Sequence, residues 1–246
     1  MARHAAATAP ADFRAWYEAL LSAWGPQGWW PGRSRFEVMV GAVLTQAVAW
    51  TNVERAIATM RRERLLTPAA LRAAGPPAIE RAIRPAGYHV RKARTLRALV
   101  TRIDEGHAGS LARFLAVPVP VLRRELLTVP GIGPETADAI LLYAAGRPVF
   151  VIDAYTRRIL ARHGAARGDE PYDTLRLRFE TALPDDARLF NEFHALLVRA
   201  GKEHCGKAAA RCDGCPLRPF LPDGGPNPAR RIRRGRRPAR RRGRVD

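Results

Sequence analysis

Residues Leu126–Asp153 read LLTVPGIGPETADAILLYAAGRPVFVID. The stretch opens on the end of an apolar-periodic segment, turns at Pro130-Gly131-Ile132-Gly133-Pro134, and continues as a second apolar segment. Gly131 and Gly133 permit positive φ and leave backbone with no side chain in front of it. Ile132 between them can pin the turn into a core. Pro134 suits the first position of a helix, where its missing N–H costs nothing. The N–H groups of that helix start point outward, and the helix dipole makes the place attractive to a phosphate. The stretch closes on one carboxylate, Asp153, behind the apolar run Val149, Phe150, Val151 and Ile152. Asp153 also precedes Ala154-Tyr155-Thr156-Arg157, where it makes a good helix N-cap.

Outward from this stretch, the apolar spacing stays helical. Asp12 caps a helix running to about Trp24, with Phe13, Trp16, Tyr17, Leu20 and Leu21 on one face. Phe36 to Leu44 is apolar nearly all round, which marks a buried helix. Thr51 or Asn52 caps the next helix, through Met60. Further helices are expected over 68–74, 76–83, 91–103, 110–115, 119–127, 155–163, 172–183 and 187–202. No stretch sustains a period-two alternation, so the expected fold is all-α with short connections. The loop Gly25–Gly32, GPQGWWPG, carries two adjacent tryptophans, Trp29 and Trp30. Two readings of them stay open: a plug over the core, or a platform on which bases stack.

A chain of 246 residues can build one large or two small cores. No apolar run is long enough to span a bilayer, the best candidate, 136–145, being too short, and MARHAAATAPADF lacks an apolar signal core. A soluble cytoplasmic monomer with no membrane partner is the expectation. The formal net charge is +19, and Gly225–Asp246 alone holds ten Arg against one Asp. Such an excess points to a polyanion, with nucleic acid the obvious one. A GC-rich genome is the bland explanation, since 39 of the 42 basic residues are Arg and only Lys92, Lys202 and Lys207 are Lys. Residues 1–11 and the Gly/Pro/Arg tail 224–246 cannot bury enough apolar surface to fold alone and are expected to be disordered. Cys205, Cys212 and Cys215 fall within eleven positions, which reads as a metal site and not as a disulfide framework.

The pattern L-x-x-P-G-I-G-x-x-x-A-x-x-I-L over Leu127–Leu141 resembles the helix-hairpin-helix of DNA-repair glycosylases. The V-x-V-I-D ending at Asp153 resembles the Gly/Pro-Asp loop of that superfamily, and Cys205-x6-Cys212-x2-Cys215 resembles three quarters of the endonuclease III iron–sulfur loop. The Gly-x-Gly-x-Glu-Thr-Ala-Asp-Ala version, with Trp-Trp-Pro near the N-terminus, is similar to the 3-methyladenine DNA glycosylase branch. The resemblance covers roughly residues 12–221. It implies two helical domains flanking a DNA-binding cleft: a six-helix domain over 36–147, and a second one that joins 12–35 to 148–223.

The resemblance also implies roles. Backbone N–H groups at Gly131, Ile132 and Gly133, with Thr136 on the next helix turn, would hold a phosphate of double-stranded DNA, fixing position without reading sequence. Asp153 would be the catalytic group, because breaking an N-glycosidic bond builds positive charge on the sugar. Glu135 stands where endonuclease III has the lysine that forms a Schiff base, and a carboxylate cannot form an imine. Trp29, Trp30, Pro31 and Trp50 are the implied base pocket, suited to a cationic methylpurine. Gln46 would fill the gap left by the flipped base, with Tyr88 and His89 in a wedge loop. The fourth cysteine of a [4Fe–4S] loop would fall at Leu221. That leaves a cluster with a non-Cys ligand such as Asp223, zinc held with His204, or a lost metal. The leading expectation is base excision of alkylated purines without a lyase step. Its alternatives are a bifunctional glycosylase/lyase acting on damaged pyrimidines and a DNA-binding protein without catalysis.

Overall fold

The computed structural model describes residues 11–228; residues 1–10 and 229–246, and with them most of the basic tail, lie outside the described residues. Twelve α-helices follow one another: α1 Phe13–Trp24, α2 Arg35–Leu44, α3 Trp50–Arg62, α4 Pro68–Ala73, α5 Pro76–Ala82, α6 His89–His107, α7 Leu111–Ala116, α8 Val119–Thr128, α9 Pro134–Ala139, α10 Ala154–Arg162, α11 Tyr172–Ala182 and α12 Ala187–Glu203. Among the described residues the only β pairing is an isolated bridge between Cys205 and Ala210. No described helix is long and apolar enough to cross a membrane.

The core begins at α2. Every residue from Phe36 to Leu44 is buried, and the helix packs against α3, α6, α9 and the turn that follows α9. At the other end of the molecule α1 lies on α11 and α12, and α10 lies on α12. A column of rings joins these pieces. Phe179 of α11 stacks between Phe13 of α1 (centroids 4.0 Å, planes 9° apart) and Phe150 of the buried extended run (4.0 Å, 6°). Three flat side chains from distant parts of the chain therefore share one van der Waals stack, which ties α1 to the segment just before Asp153. Close approach of α10 to α12 depends on Gly201: a Cβ there would lie 2.4 Å from the Tyr155 ring.

Three details differ from the sequence expectation. The cap of α3 is Ala49, whose side chain accepts nothing, and neither Thr51 nor Asn52 serves; the helix starts two or three residues earlier than its polar residues suggest. Helix α6 begins at His89 and runs to His107, beyond the expected 91–103. Its start is set by Tyr88 in the left-handed region, and its end is held because Glu125 of α8 accepts from both Arg102 and His107. After α9 the chain does not continue as a regular α-helix. Ile140–Ala144 widens into a π turn, with the Ala145 N–H donating to the Ile140 carbonyl at 3.0 Å. Such widened turns rotate the side chains they carry and are frequent at functional sites.

Candidate active site

The hairpin between α8 and α9 uses its two glycines differently. Gly131 has φ +92°, and a Cβ there would fall 2.1 Å from the Thr95 hydroxyl, so only glycine fits. Gly133 is extended at φ −103° and caps α9; a positive φ is not what it provides. A Cβ on Gly133 would meet nothing within 4 Å, so its face is open to a ligand. Ile132 is buried. The backbone N–H groups of Gly133, Glu135 and Thr136 have no acceptor among the described residues. Gln46 lies across the hairpin. Its Nε2 donates to the Gly131 carbonyl and to the Thr136 hydroxyl, each at 2.9 Å.

Asp153 ends the buried run and caps α10. Its Oδ1 accepts from the Thr156 N–H at 2.7 Å, and its Oδ2 faces His194 Nε2 at 3.9 Å. One carboxylate oxygen is thus committed to the helix start, and the remaining lone pairs face a cavity of about 180 Å³. Glu135, from the first turn of α9, lines the same cavity. The cleft wall desolvates its carboxyl and the Asp153 charge opposes its ionisation, which together raise its pKa to about 7. The side chain still reaches solvent at the mouth, and that access screens part of the push.

The walls are aromatic. Trp30 meets Trp50 edge-on (5.0 Å, 89°), Trp29 lies 5.5 Å from Trp50, and Tyr143 packs 5.1 Å from Trp30. Trp30 can lie flat on α2 because residue 41 is glycine: a Cβ there would come 3.1 Å from the indole. The loop carrying the two tryptophans is tied to α12 by the Gln27 N–H, which donates to Glu192 at 2.5 Å. Lys202, from the end of α12, places Nζ 5.8 Å from the Trp29 ring centroid and also lines the cavity. The volume suits one flat ring system; a dry apolar cavity of about 150 Å³ takes up benzene.

Of the residues singled out from sequence, Trp29, Trp30, Trp50, Gln46, Glu135, Thr136 and Asp153 line this one cavity. Pro31 does not: it is exposed and sits in the turn closed by the Gly32 N–H on the Trp30 carbonyl. Tyr88 and His89 stand apart, with Tyr88 64% exposed under the Arg91 guanidinium. Tyr143 and His194 were not anticipated. A signal for His194 existed: it is a polar residue on the apolar face of α12, in register with Phe190 and Val198 at a spacing of four. Tyr143 is hidden in an apolar run and is aimed at the cavity by the π turn. Lys92 is unavailable for chemistry, being buried with Nζ donating to the carbonyls of Leu44 and Ala86.

The cysteine loop gives a different result. Cys205, Cys212 and Cys215 border a small cavity of about 20 Å³, and Leu221 borders it too. Cys205 Sγ accepts from the Arg162 guanidinium at 3.1 Å, and burial together with the other two cysteines raises the Cys215 thiol. Among the described residues no three His, Cys, Asp or Glu side chains converge as a metal-holding group. His204 borders the same cavity, but its Nδ1 is on the Arg211 carbonyl and its ring is stacked on Trp24, and Asp223 is exposed outside the cavity. Three thiols and an apolar fourth corner do not fit a four-thiolate cluster, and the zinc set with His204 is not assembled.

Comparison with known proteins identifies the family and the fold. Residues 40–185 match the model of the HhH-GPD superfamily of base excision DNA repair proteins. A Methanocaldococcus jannaschii protein, whose name assigns it provisionally to the DNA repair glycosylases, is 42% identical over 206 residues, covering 83% of this chain and 93% of its own. Among solved structures, the H. pylori 3-methyladenine DNA glycosylase MagIII bound to 1,N6-ethenoadenine aligns with a TM-score of 0.67 at 27% identity, over 78% of this chain and 97% of that one. A non-covalent endonuclease III–DNA complex shares the fold with a TM-score of 0.69 at 23% identity, over 85% of this chain and 92% of that one. On its sequence match and its helical architecture, the chain belongs to the HhH-GPD superfamily of base excision DNA repair proteins.

Proposed function

We propose that the protein excises alkylated purines from double-stranded DNA by hydrolysing the N-glycosidic bond, and leaves the abasic strand intact. The observation that carries this reading is a single cavity that sets Trp29, Trp30 and Trp50 against two carboxylates, Asp153 and Glu135. A purine alkylated on the ring carries positive charge. Aromatic faces attract a cation, and nearby carboxylates add to that attraction. As the C1′–N bond breaks, its electron pair goes to the base, which departs neutral and needs no proton. Positive charge grows on the sugar, where the Asp153 carboxylate stabilises it. A water then forms the new C1′–O bond and its proton leaves to the carboxylate and solvent. The unpaired N–H groups of Gly133, Glu135 and Thr136 supply a cradle for a backbone phosphate. Similarity to a 3-methyladenine DNA glycosylase supports the substrate class. Glu135 at the hairpin position supports hydrolysis without an imine.

A second reading has one observation in its favour. Lys202 lines the cavity and brings an amine to it, which an imine-forming lyase step requires. One experiment separates the two. Duplexes carrying a cationic methylpurine, a neutral purine lesion or an oxidised pyrimidine are incubated with enzyme; released base is quantified, strands are run on a denaturing gel, and a parallel sample receives borohydride. The expected result is methylpurine release, uncut strands and no trapped complex. Trapping that disappears in Lys202→Gln would establish the lyase reading. Asp153→Asn should lower base release by at least roughly 10²-fold while DNA still binds, and near-normal release by that variant would refute the mechanism.

A further inference from the structure

We propose that Tyr143 and His194 form a buried line behind Asp153 and that His194 is a positioning residue for base excision, presenting its Nε2–H to the Asp153 carboxylate. The inference rests on the reading of Asp153 as the group that acts on the sugar.

The Tyr143 hydroxyl lies 2.5 Å from His194 Nδ1, and His194 Nε2 lies 3.9 Å from Asp153 Oδ2. The side chains of His194 and Asp153 are only 7% and 14% exposed. His194 Nε2 is buried and has no hydrogen-bond partner. Burial pushes the His194 pKa down, against the pull of Asp153, and pushes the Tyr143 pKa well up, with Asp153 adding to it. The imidazole is therefore neutral and the phenol keeps its proton. The phenol can donate to Nδ1 or accept from it, so this contact fits either neutral tautomer, and the choice falls to the other ring nitrogen. The nitrogen that faces Asp153 is Nε2, and a proton there is the arrangement that gives the carboxylate a donor.

The cost of the alternative decides between the tautomers. With the proton on Nδ1, the Tyr143 oxygen would accept it, but a bare Nε2 would set its lone pair against a carboxylate inside a buried site with no donor between them. At 3.9 Å the contact with Asp153 exceeds a hydrogen bond, whose donor–acceptor distance is about 2.7–3.2 Å. Such contacts are often long in a free enzyme and tighten around substrate. Thr156 N–H already holds Oδ1, so a proton donor on Oδ2 would leave the carboxylate a single orientation toward the sugar. The other ionisable side chains of the cavity, Glu135, Tyr155 and Lys202, form no hydrogen bond with His194, so Asp153 is the group its Nε2 faces.

Three measurements test this. Ring ¹⁵N NMR of the intact protein near neutral pH should show the His194 Nε2–H tautomer; an Nδ1–H tautomer or an imidazolium overturns the assignment. Single-turnover excision by His194→Phe should fall at least about tenfold, within the range of a lost proton-transfer or orienting group, while affinity for a duplex with an uncleavable abasic analogue stays within about twofold. His194→Gln, whose amide can donate to Asp153 and accept from Tyr143, should recover most of the rate. Equal losses in the Phe and Gln variants, or a normal rate in folded His194→Phe, would reduce His194 to packing. If Asp153→Asn excises normally, the parent reading fails; if Asp153→Asn is dead and His194→Phe is not, only this inference fails.

Discussion

Glu135 occupies a place where the charge of one side chain is set by another. Its carboxyl is raised to about 7, first by loss of water in the cleft and then by Asp153. The consequence for stability has a definite sign. Between the ordinary carboxylate value of 4.5 and about 7, the folded protein holds a proton that the unfolded chain has released. Stability therefore falls as pH rises through that window. Glu135→Gln, which cannot titrate, should flatten this part of the curve, so the variant gains on the wild type as pH climbs from about 5 to about 7.5. Thermal midpoints of both proteins at a series of pH values check it; parallel curves would mean that solvent at the cleft mouth screens the carboxyl fully. The buried partners of the site are better insulated, which is why His194 and Tyr143 keep one protonation state at neutral pH.

Between elements, the buried ammonium of Lys92 joins the end of α2 to the turn before α6. Lys92 of α6 is 1% exposed and has no carboxylate beside it. It donates to the Leu44 carbonyl at the end of α2, just before Gln46, and to the Ala86 carbonyl, just before Gly87 and Tyr88. The C-terminal carbonyls of a helix favour a cation. Burial, with Arg91 adding to it, lowers the Lys92 pKa to about 8. Lys92→Met removes both bonds and leaves carbonyls without partners, a loss of roughly 1–3 kcal/mol in stability. The wild type should gain on the variant as pH rises from about 8 to 10.5, because there the unfolded chain binds a proton that the folded protein does not. Denaturant unfolding at neutral and alkaline pH measures both effects, and an equally stable Met variant would show that the two carbonyls need no donor.

At the scale of the whole molecule, charge is the dominant property. The chain carries +19, and nine of those charges come from the Arg-rich run after Pro228. The described part ends with a fixed point: Asn227 donates its N–H to the Arg162 carbonyl at 2.9 Å. A truncation after Pro228 therefore removes the run and spares that contact. Each lost phosphate contact should lower the salt slope of DNA affinity by about 0.9 for duplex DNA. Fluorescence anisotropy at several salt concentrations reads the slope, with thermal unfolding as the control for folding. An unchanged slope would leave the arginines without a role on DNA.

The helical class, the hairpin, the carboxylate at position 153 and the missing fourth cysteine could be read from the chain alone. Each is a local property: a spacing, a glycine pair, a residue type at a counted distance. Helix ends were read less well where no polar cap marks them, as at Ala49, or where a cross-helix pair extends the helix, as at His107. Gly133 shows the limit even inside a motif, because permission for positive φ does not say that it is used. Tertiary structure alone brought Tyr143 to His194 across 51 residues, placed Lys202 at the cavity and Lys92 in the core, and left Pro31 outside. Burial and side-chain meetings depend on how distant helices pack, and a π turn or a glycine in a neighbouring helix can redirect a side chain without any mark at its own position in the sequence.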